Sequence, residues 1–178
     1  SSIVLDEDQR IQIDFLENVM DPEGHTVAVG TIVQPSNGRV YQAADVYYYQ
    51  PNMNFEGEDI FLYELIDELG ARSMMRVHVQ VNPVNDLPIS IAKISRVDED
   101  QRLLIDLESS TYDIDGDELT ITIFKQADHG HAQITDGILV YIPNPNFHGV
   151  DRLVYQVTDS KGGVIRESIT IDVNPVQD

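Results

Sequence analysis

The chain repeats itself once. Asp6-Glu7-Asp8-Gln9-Arg10 returns as Asp98-Glu99-Asp100-Gln101-Arg102, 92 residues further on, and the same spacing lays the two halves on each other without a gap. It pairs Asp21 with Asp113, Gly24 with Gly116 and Gly38 with Gly130. It pairs Asn54-Phe55-x-Gly57-x-Asp59 with Asn146-Phe147-x-Gly149-x-Asp151, and Tyr63, Asp67 and Gly70 with Tyr155, Asp159 and Gly162. Val81-Asn82-Pro83-Val84 falls on Val173-Asn174-Pro175-Val176. A period of this length exceeds a solenoid turn and equals a small domain. The expectation is two tandem domains, 1–86 and 87–178, meeting at residues 82–88. In that junction Pro83 and Pro88 bracket Asn85 and Asp86. The prolines hold the backbone extended and exclude both helix and central strand.

Within each copy the apolar period is two. Ile11, Ile13 and Phe15 alternate with polar residues, and Phe61, Tyr63, Leu65 and Leu153, Tyr155, Val157 do the same, as half-buried strands require. Thr26–Val33, Leu119–Phe124, Val46–Gln50, Ile138–Ile142, Ser73–Val81 and Ile165–Val173 read as further strands, with hairpin turns at Glu68–Ala71 and Ser160–Gly163. No stretch carries a helical period. The fold class expected is all-β: two tandem Ig-like antiparallel β-sandwiches of about seven strands each.

Charge narrows the function. Of 178 residues 31 are acidic and 11 basic, a net charge of −20. Such a field repels nucleic acid and anionic membranes and attracts cations. Arg72, Arg76, Arg96 and Arg102 are dispersed, so no phosphate-tracking patch is read and no nucleic-acid partner is expected. The chain has no cysteine, which removes disulfides and thiolate metal sites. No stretch reaches the length of a membrane span, so no membrane insertion is expected. The start, Ser1-Ser2-Ile3, has no leader pattern, and the chain reads as a piece of a longer one. No nucleophile elbow, phosphate loop or His-Glu-x-x-His is present. Acids that recur once per copy fit periodic metal sites better than one asymmetric cleft, so the chain is read as no enzyme.

The residue pattern that invites a metal is Asp113-x-Asp115-Gly116-Asp117. Alternate carboxylates on a glycine turn either converge on a hard cation or form a solvated acidic turn; spacing alone leaves both open. An EF-hand is excluded, because Phe124 stands where its closing glutamate belongs. Asp67 and Asp159 read as turn caps, Asp14 and Asp106 as local structural residues, and Tyr63 and Tyr155 as core tyrosines that tether a corner through their hydroxyls. His129-Gly130-His131 reads as a solvent-facing hairpin and not as zinc ligands. In Tyr47-Tyr48-Tyr49 the middle ring points away from its neighbours.

Taken in order, the acidic triplet, Asp113-x-Asp115-Gly116-Asp117, Tyr141-x-Pro143-x-x-x-Phe147-x-Gly149-x-Asp151-x-Leu153-x-Tyr155, Asp159-x-x-Gly162 and Val84-Asn85-Asp86-Leu87-Pro88 resemble cadherin-like or bacterial Ig-like tandem repeats of large secreted and cell-surface adhesins. The resemblance runs over nearly the whole chain, twice. It implies Ca2+ at the junction, held by Glu7, Asp59 and Glu58 from the first domain, by Asn85 and Asp86, and by Asp113 and Asp115, with Asp117 closing the loop. It further implies an extracellular or cell-surface location in a bacterium, neighbouring repeats of the same chain as partners, and a stalk in cell adhesion or biofilm attachment. Glu99, Asp151 and Asp178 would await a third domain, and Asp21 and Glu23 a preceding one. Those outer sites are expected to be weak, since Gln177 replaces the counterpart of Asn85 and Val150 that of Glu58. The alternative reading makes the repeats bind: carbohydrate stacked on Tyr48, another cell-surface ligand, or like repeats through free strand edges.

Overall fold

Strict two-residue alternation leaves the backbone no choice but extended strands with one wet and one dry face. In the computed structural model, which describes residues 2–91 and 94–176, these strands build two compact units, Ser1–Val84 and Asn85–Asp178. The first contains β1 (Ser2–Asp6), β2 (Ile11–Ile13), β3 (Val27–Val33), β4 (Gly38–Ala43), β5 (Val46–Pro51), β6 (Gly57–Asp67) and β7 (Arg72–Asn82). They form two sheets, β1-β7-β6-β3 and β2-β5-β4. The second unit contains β8 (Ile89–Ser90), β9 (Ile94–Asp98), β10 (Leu103–Asp106), β11 (Thr111–Tyr112), β12 (Thr120–Lys125), β13 (Gly130–Thr135), β14 (Ile138–Pro143), β15 (Gly149–Thr158) and β16 (Val164–Asn174). Its sheets are β12-β15-β16-β9 and β10-β14-β13, with a short β8-β11 ribbon. The helical content of the described residues is one 3-10 turn, Glu108–Ser110.

One feature differs from the expected all-antiparallel pairing. β1 runs parallel to β7, and β9 parallel to β16. Parallel neighbours need a long crossover, and here the whole intervening domain supplies it. The two opening strands carry one fully buried side chain each, Leu5 and Val97, so periodicity barely marks them.

The repeat in sequence is a repeat in packing. All eleven buried apolar residues of the first core have a buried counterpart 92 positions later, from Leu5 and Val97 through Tyr49 and Tyr141 to Val81 and Val173. Phe15, in the first unit, packs its ring 4.3 Å from Tyr63 and 4.9 Å from Tyr47. The core tyrosines do tether corners: Tyr63 donates to the Phe15 carbonyl at 3.5 Å, and the Tyr155 hydroxyl is hydrogen-bonded to Ser90 Oγ at 2.7 Å.

Asp59, expected to offer its oxygens to an ion, has another occupation. It is buried, and its carboxylate accepts the N–H groups of Ser36 (3.2 Å), Asn37 (3.1 Å) and Ile60 (2.9 Å) and the hydroxyl of Tyr49 (3.0 Å). Asp151 does the same with Asp128, His129, Arg152 and Tyr141. Four donors use the acceptor sites of one carboxylate, so Asp59 and Asp151 are internal anchors for the loop ahead of β4 or β13. The neighbouring tyrosine ring explains Gly38: a Cβ there would lie 2.9 Å from Tyr49. Burial first, and the bond to the aspartate second, push the Tyr49 and Tyr141 hydroxyls well above the usual phenol range. Removing either hydroxyl leaves a buried carboxylate short of a donor. Tyr49→Phe and Tyr141→Phe should each cost about 1–3 kcal/mol, measured as a lower urea midpoint with unchanged slope.

Candidate metal site

Asp113 begins a loop between β11 and β12 that turns back through Gly116, whose φ of +77° is open chiefly to glycine. Asp113 Oδ1 accepts the N–H of Asp115 at 2.9 Å and of Asp117 at 3.3 Å, which folds the loop around its own first carboxylate. One ligand atom from each of Asp113, Asp115 and Asp117 then lies within 4.8 Å of the others. Asp115 Oδ2 accepts the N–H of Asp86 at 2.8 Å. Asp117 Oδ1 accepts the Ser160 hydroxyl at 3.0 Å and sits 3.4 Å from the exposed Lys161 ammonium. Two of the remaining oxygens, Asp113 Oδ2 and Asp117 Oδ2, are buried and have no hydrogen-bond donor. A buried acceptor without a donor is costly, and converging carboxylates repel one another. A divalent cation answers both demands. The donors are all carboxylate oxygens, which suits a hard ion such as calcium. An open groove of about 710 Å³ adjoins the loop, and Glu108, Asp113, Asp117, Glu118 and Asp136 line it.

The start of the second unit is tied to this loop. Asn85 Nδ2 donates to Asp159 Oδ2 at 3.0 Å and to the Asp86 carbonyl at 2.9 Å. Asp159 caps its turn through Oδ1, which accepts the N–H groups of Lys161 and Gly163, both at 2.8 Å. It is thus both the expected turn cap and a clasp on Asn85. The Asn85 hydrogen bond, and after it the turn's backbone N–H groups, hold the Asp159 carboxyl below the usual range against the opposing effect of burial.

The remaining expected ligands belong to the first unit. Glu7 is buried; it accepts the Val84 N–H at 2.6 Å and donates its own N–H to the Asn82 carbonyl at 2.9 Å. Glu99 repeats this with Val176 at 2.7 Å. Glu58 is exposed, on the face of β6 opposite Asp59. Asp178 and Gln177 lie outside the described residues. The first unit's own loop is built alike, with Asp21 Oδ1 accepting the N–H groups of Glu23 at 2.8 Å and His25 at 3.2 Å. His25 stands where the second unit has Asp117, and its Nδ1 lies 3.5 Å from Asp21 and 3.6 Å from Glu23. Asp21, His25 and Asp67 therefore group as a mixed nitrogen and oxygen set. His129 stacks on Phe147 at 4.4 Å, and neither it nor His131 falls in a metal-ligating group among the described residues.

Residues 1–80 and 85–172 each match the bacterial Ig domain family. The chain belongs to that family, as two cadherin-like, Ig-like repeats in tandem. No curated protein matches its sequence. Among solved structures, human CDH23 repeats EC21-23 align at 14% identity with a TM-score of 0.54, over 97% of this chain and 72% of theirs. The extracellular cadherin domains 1-4 of protocadherin gamma B7 align at 12% identity and TM-score 0.51, over 99% of this chain and 49% of theirs. An endo-fucoidan hydrolase from glycoside hydrolase family 107 aligns at 19% identity and TM-score 0.44; the chain spans 28% of that enzyme's length. At these identities the likeness is one of fold. Bacterial Ig and cadherin-like domains are typically extracellular and non-enzymatic, and no helix among the described residues is long and apolar enough to cross a membrane.

The depressed Asp159 carboxyl has a definite sign. Its stabilisation is complete above the unfolded aspartate value, about 3.9, and is lost as pH falls through the lower folded value. Asp159→Asn should therefore flatten the acid limb of stability against pH below about 4, read as urea midpoints in chelator.

Proposed function

We propose that the chain is a calcium-rigidified pair of spacer repeats from an extracellular bacterial adhesin, and that the ion binds at the Asp113–Asp117 loop. The observation that carries this reading is the pair of buried, donorless oxygens, Asp113 Oδ2 and Asp117 Oδ2, beside Asp115. Bound calcium supplies positive charge and oxygen coordination there. The protein's own part is positional. Asp113 shapes the loop through its backbone bonds, Asp115 holds Asp86 by its N–H, and Asp159 holds Asn85. On the other side of the same peptide segment, Glu7 holds Val84. Calcium neutralises the loop that anchors Asn85 and Asp86, and so stiffens the chain where one repeat passes into the next. Stiffened repeats project a distal binding module from the cell, the task of a stalk in adhesion or biofilm attachment. Glu7 serves this scheme as a clasp on Val84, Glu58 and Asp59 take no part in it, and the first unit's loop, with an imidazole in place of a carboxylate, is not part of the calcium proposal.

The test is calcium titration of the intact chain. At an affinity of ~10⁻⁴–10⁻³ M, usual for extracellular modules, 10 mM calcium should stabilise the second unit by about 1.4–2.7 kcal/mol. The gain should vanish in Asp113→Asn and Asp117→Asn and persist in Glu58→Gln. A melting curve indifferent to calcium would remove the proposal.

A further inference from the structure

The first unit carries a second surface that the spacer role does not use. Tyr48 does point away from Tyr47 and Tyr49, on the outer face of the β2-β5-β4 sheet, and its strand partners there are Gln12 and Tyr41. It is half-buried. Tyr41 stacks on it with ring centres 5.7 Å apart and planes 26° apart, and the Arg10 guanidinium lies 4.9 Å from its ring centre. Arg39 covers Tyr41 in the same way at 4.9 Å. Arg10 also donates to the Tyr41 hydroxyl at 3.4 Å, and Arg39 to Gln50 at 2.8 Å. The result is a cluster of Arg10, Tyr48, Tyr41 and Arg39, flanked by Gln12 and Gln50.

Two properties set this face apart. In a chain with 31 acidic residues, neither Arg10 nor Arg39 pairs with a carboxylate among the described residues. The side chains at its centre, Arg10, Gln12, Arg39, Tyr41, Tyr48 and Gln50, each end in a hydrogen-bonding group. The second unit is an internal control. Its corresponding residues are Arg102, Leu104, His131, Gln133, Val140 and Ile142, so the same sheet folds without the tyrosine pair, the glutamines or the second arginine.

We propose that this face binds a short acidic saccharide, with Arg10 and Arg39 taking carboxylates and the Tyr41, Tyr48, Gln12 and Gln50 side chains taking ring hydroxyls. A sugar stacking on Tyr48, the simpler expectation, shares that ring with Tyr41 and Arg10. Guanidinium groups held over aromatic rings, each with one N–H engaged, present their remaining N–H groups to carboxylate oxygens. A second copy of this chain, at −20, is repelled. Nucleic acid, with a charge every ~1.7 Å along the duplex, meets the whole acidic field. A sparsely charged saccharide, screened beyond ~8 Å, meets the local patch.

The experiment is calorimetric titration of the intact chain in chelator with tetragalacturonate, with neutral cellotetraose, with tetraglutamate and with a DNA hexamer. The expected result is binding of the uronate alone, weakened at least tenfold in Arg39→Gln and in Tyr48→Val, the latter copying the second unit, and unchanged in Asp113→Asn. Circular dichroism confirms that each variant is folded. No uronate binding, equal binding of the neutral sugar, peptide or DNA, or binding indifferent to both patch variants would overturn the proposal. Because the chelator removes calcium and Asp113→Asn spares this face, failure here leaves the spacer reading standing, and the reverse.

Discussion

Each repeat closes by laying its first strand parallel against its last, and one glutamate locks that closure. Glu7 and Glu99 stand immediately after β1 and β9, bond the carbonyl of Asn82 or Asn174, and clasp the N–H of Val84 or Val176 with a carboxylate oxygen. A buried acid satisfied by backbone donors is stable only when those donors are held in place. The closing strand therefore has one register, and the proline-flanked segment that follows leaves the first domain at a defined point. The candidate metal loop depends on this, because Asn85 and Asp86 are the first residues beyond that clasp.

Carboxylates with buried oxygens among the described residues divide into two kinds. Asp59, Asp151, Asp159, Glu7 and Glu99 accept backbone, amide or phenol donors and serve as internal anchors. Asp113 and Asp117 keep one oxygen each without a donor, and that difference, not acidity as such, separates a candidate ligand from a strut. The imidazole of His25 at the matching place in the first unit shows how one substitution changes the chemistry of a loop whose backbone bonds are retained.

The two sandwiches also diverge on their outer faces while agreeing in their cores. Core positions answer to packing volume, so all eleven pairs stay buried and apolar. Outer-face positions of β2, β4 and β5 are free of that packing demand, and there Tyr48 corresponds to Val140 and Gln12 to Leu104. A surface set that the fold does not need is where a function added to one repeat would be written.

The sequence alone determined the tandem repeat, the β class, most of the central strands, the turn-capping role of Asp67 and Asp159, and the acidic loop, because each rests on local period or spacing. It did not show that β1 and β9 pair in parallel with strands more than seventy residues away, since two short strands bury too little to leave a pattern. Nor did it separate Asp59 from Asp113: both are aspartates in acidic surroundings, and only the tertiary structure brings Tyr49 and the Ser36-Asn37 backbone to the one and leaves the other an open oxygen. Nothing local in the sequence brings Arg10 and Arg39 together, for the same reason. Their 29-residue separation in sequence hides that β2 and β4 both flank β5. The signal was present in Asp136-Gly137, a hairpin turn in the second copy whose register, carried back 92 residues, places Tyr41 opposite Tyr48. Local period chooses the element, but cross-strand register chooses the neighbours, and chemistry belongs to neighbours.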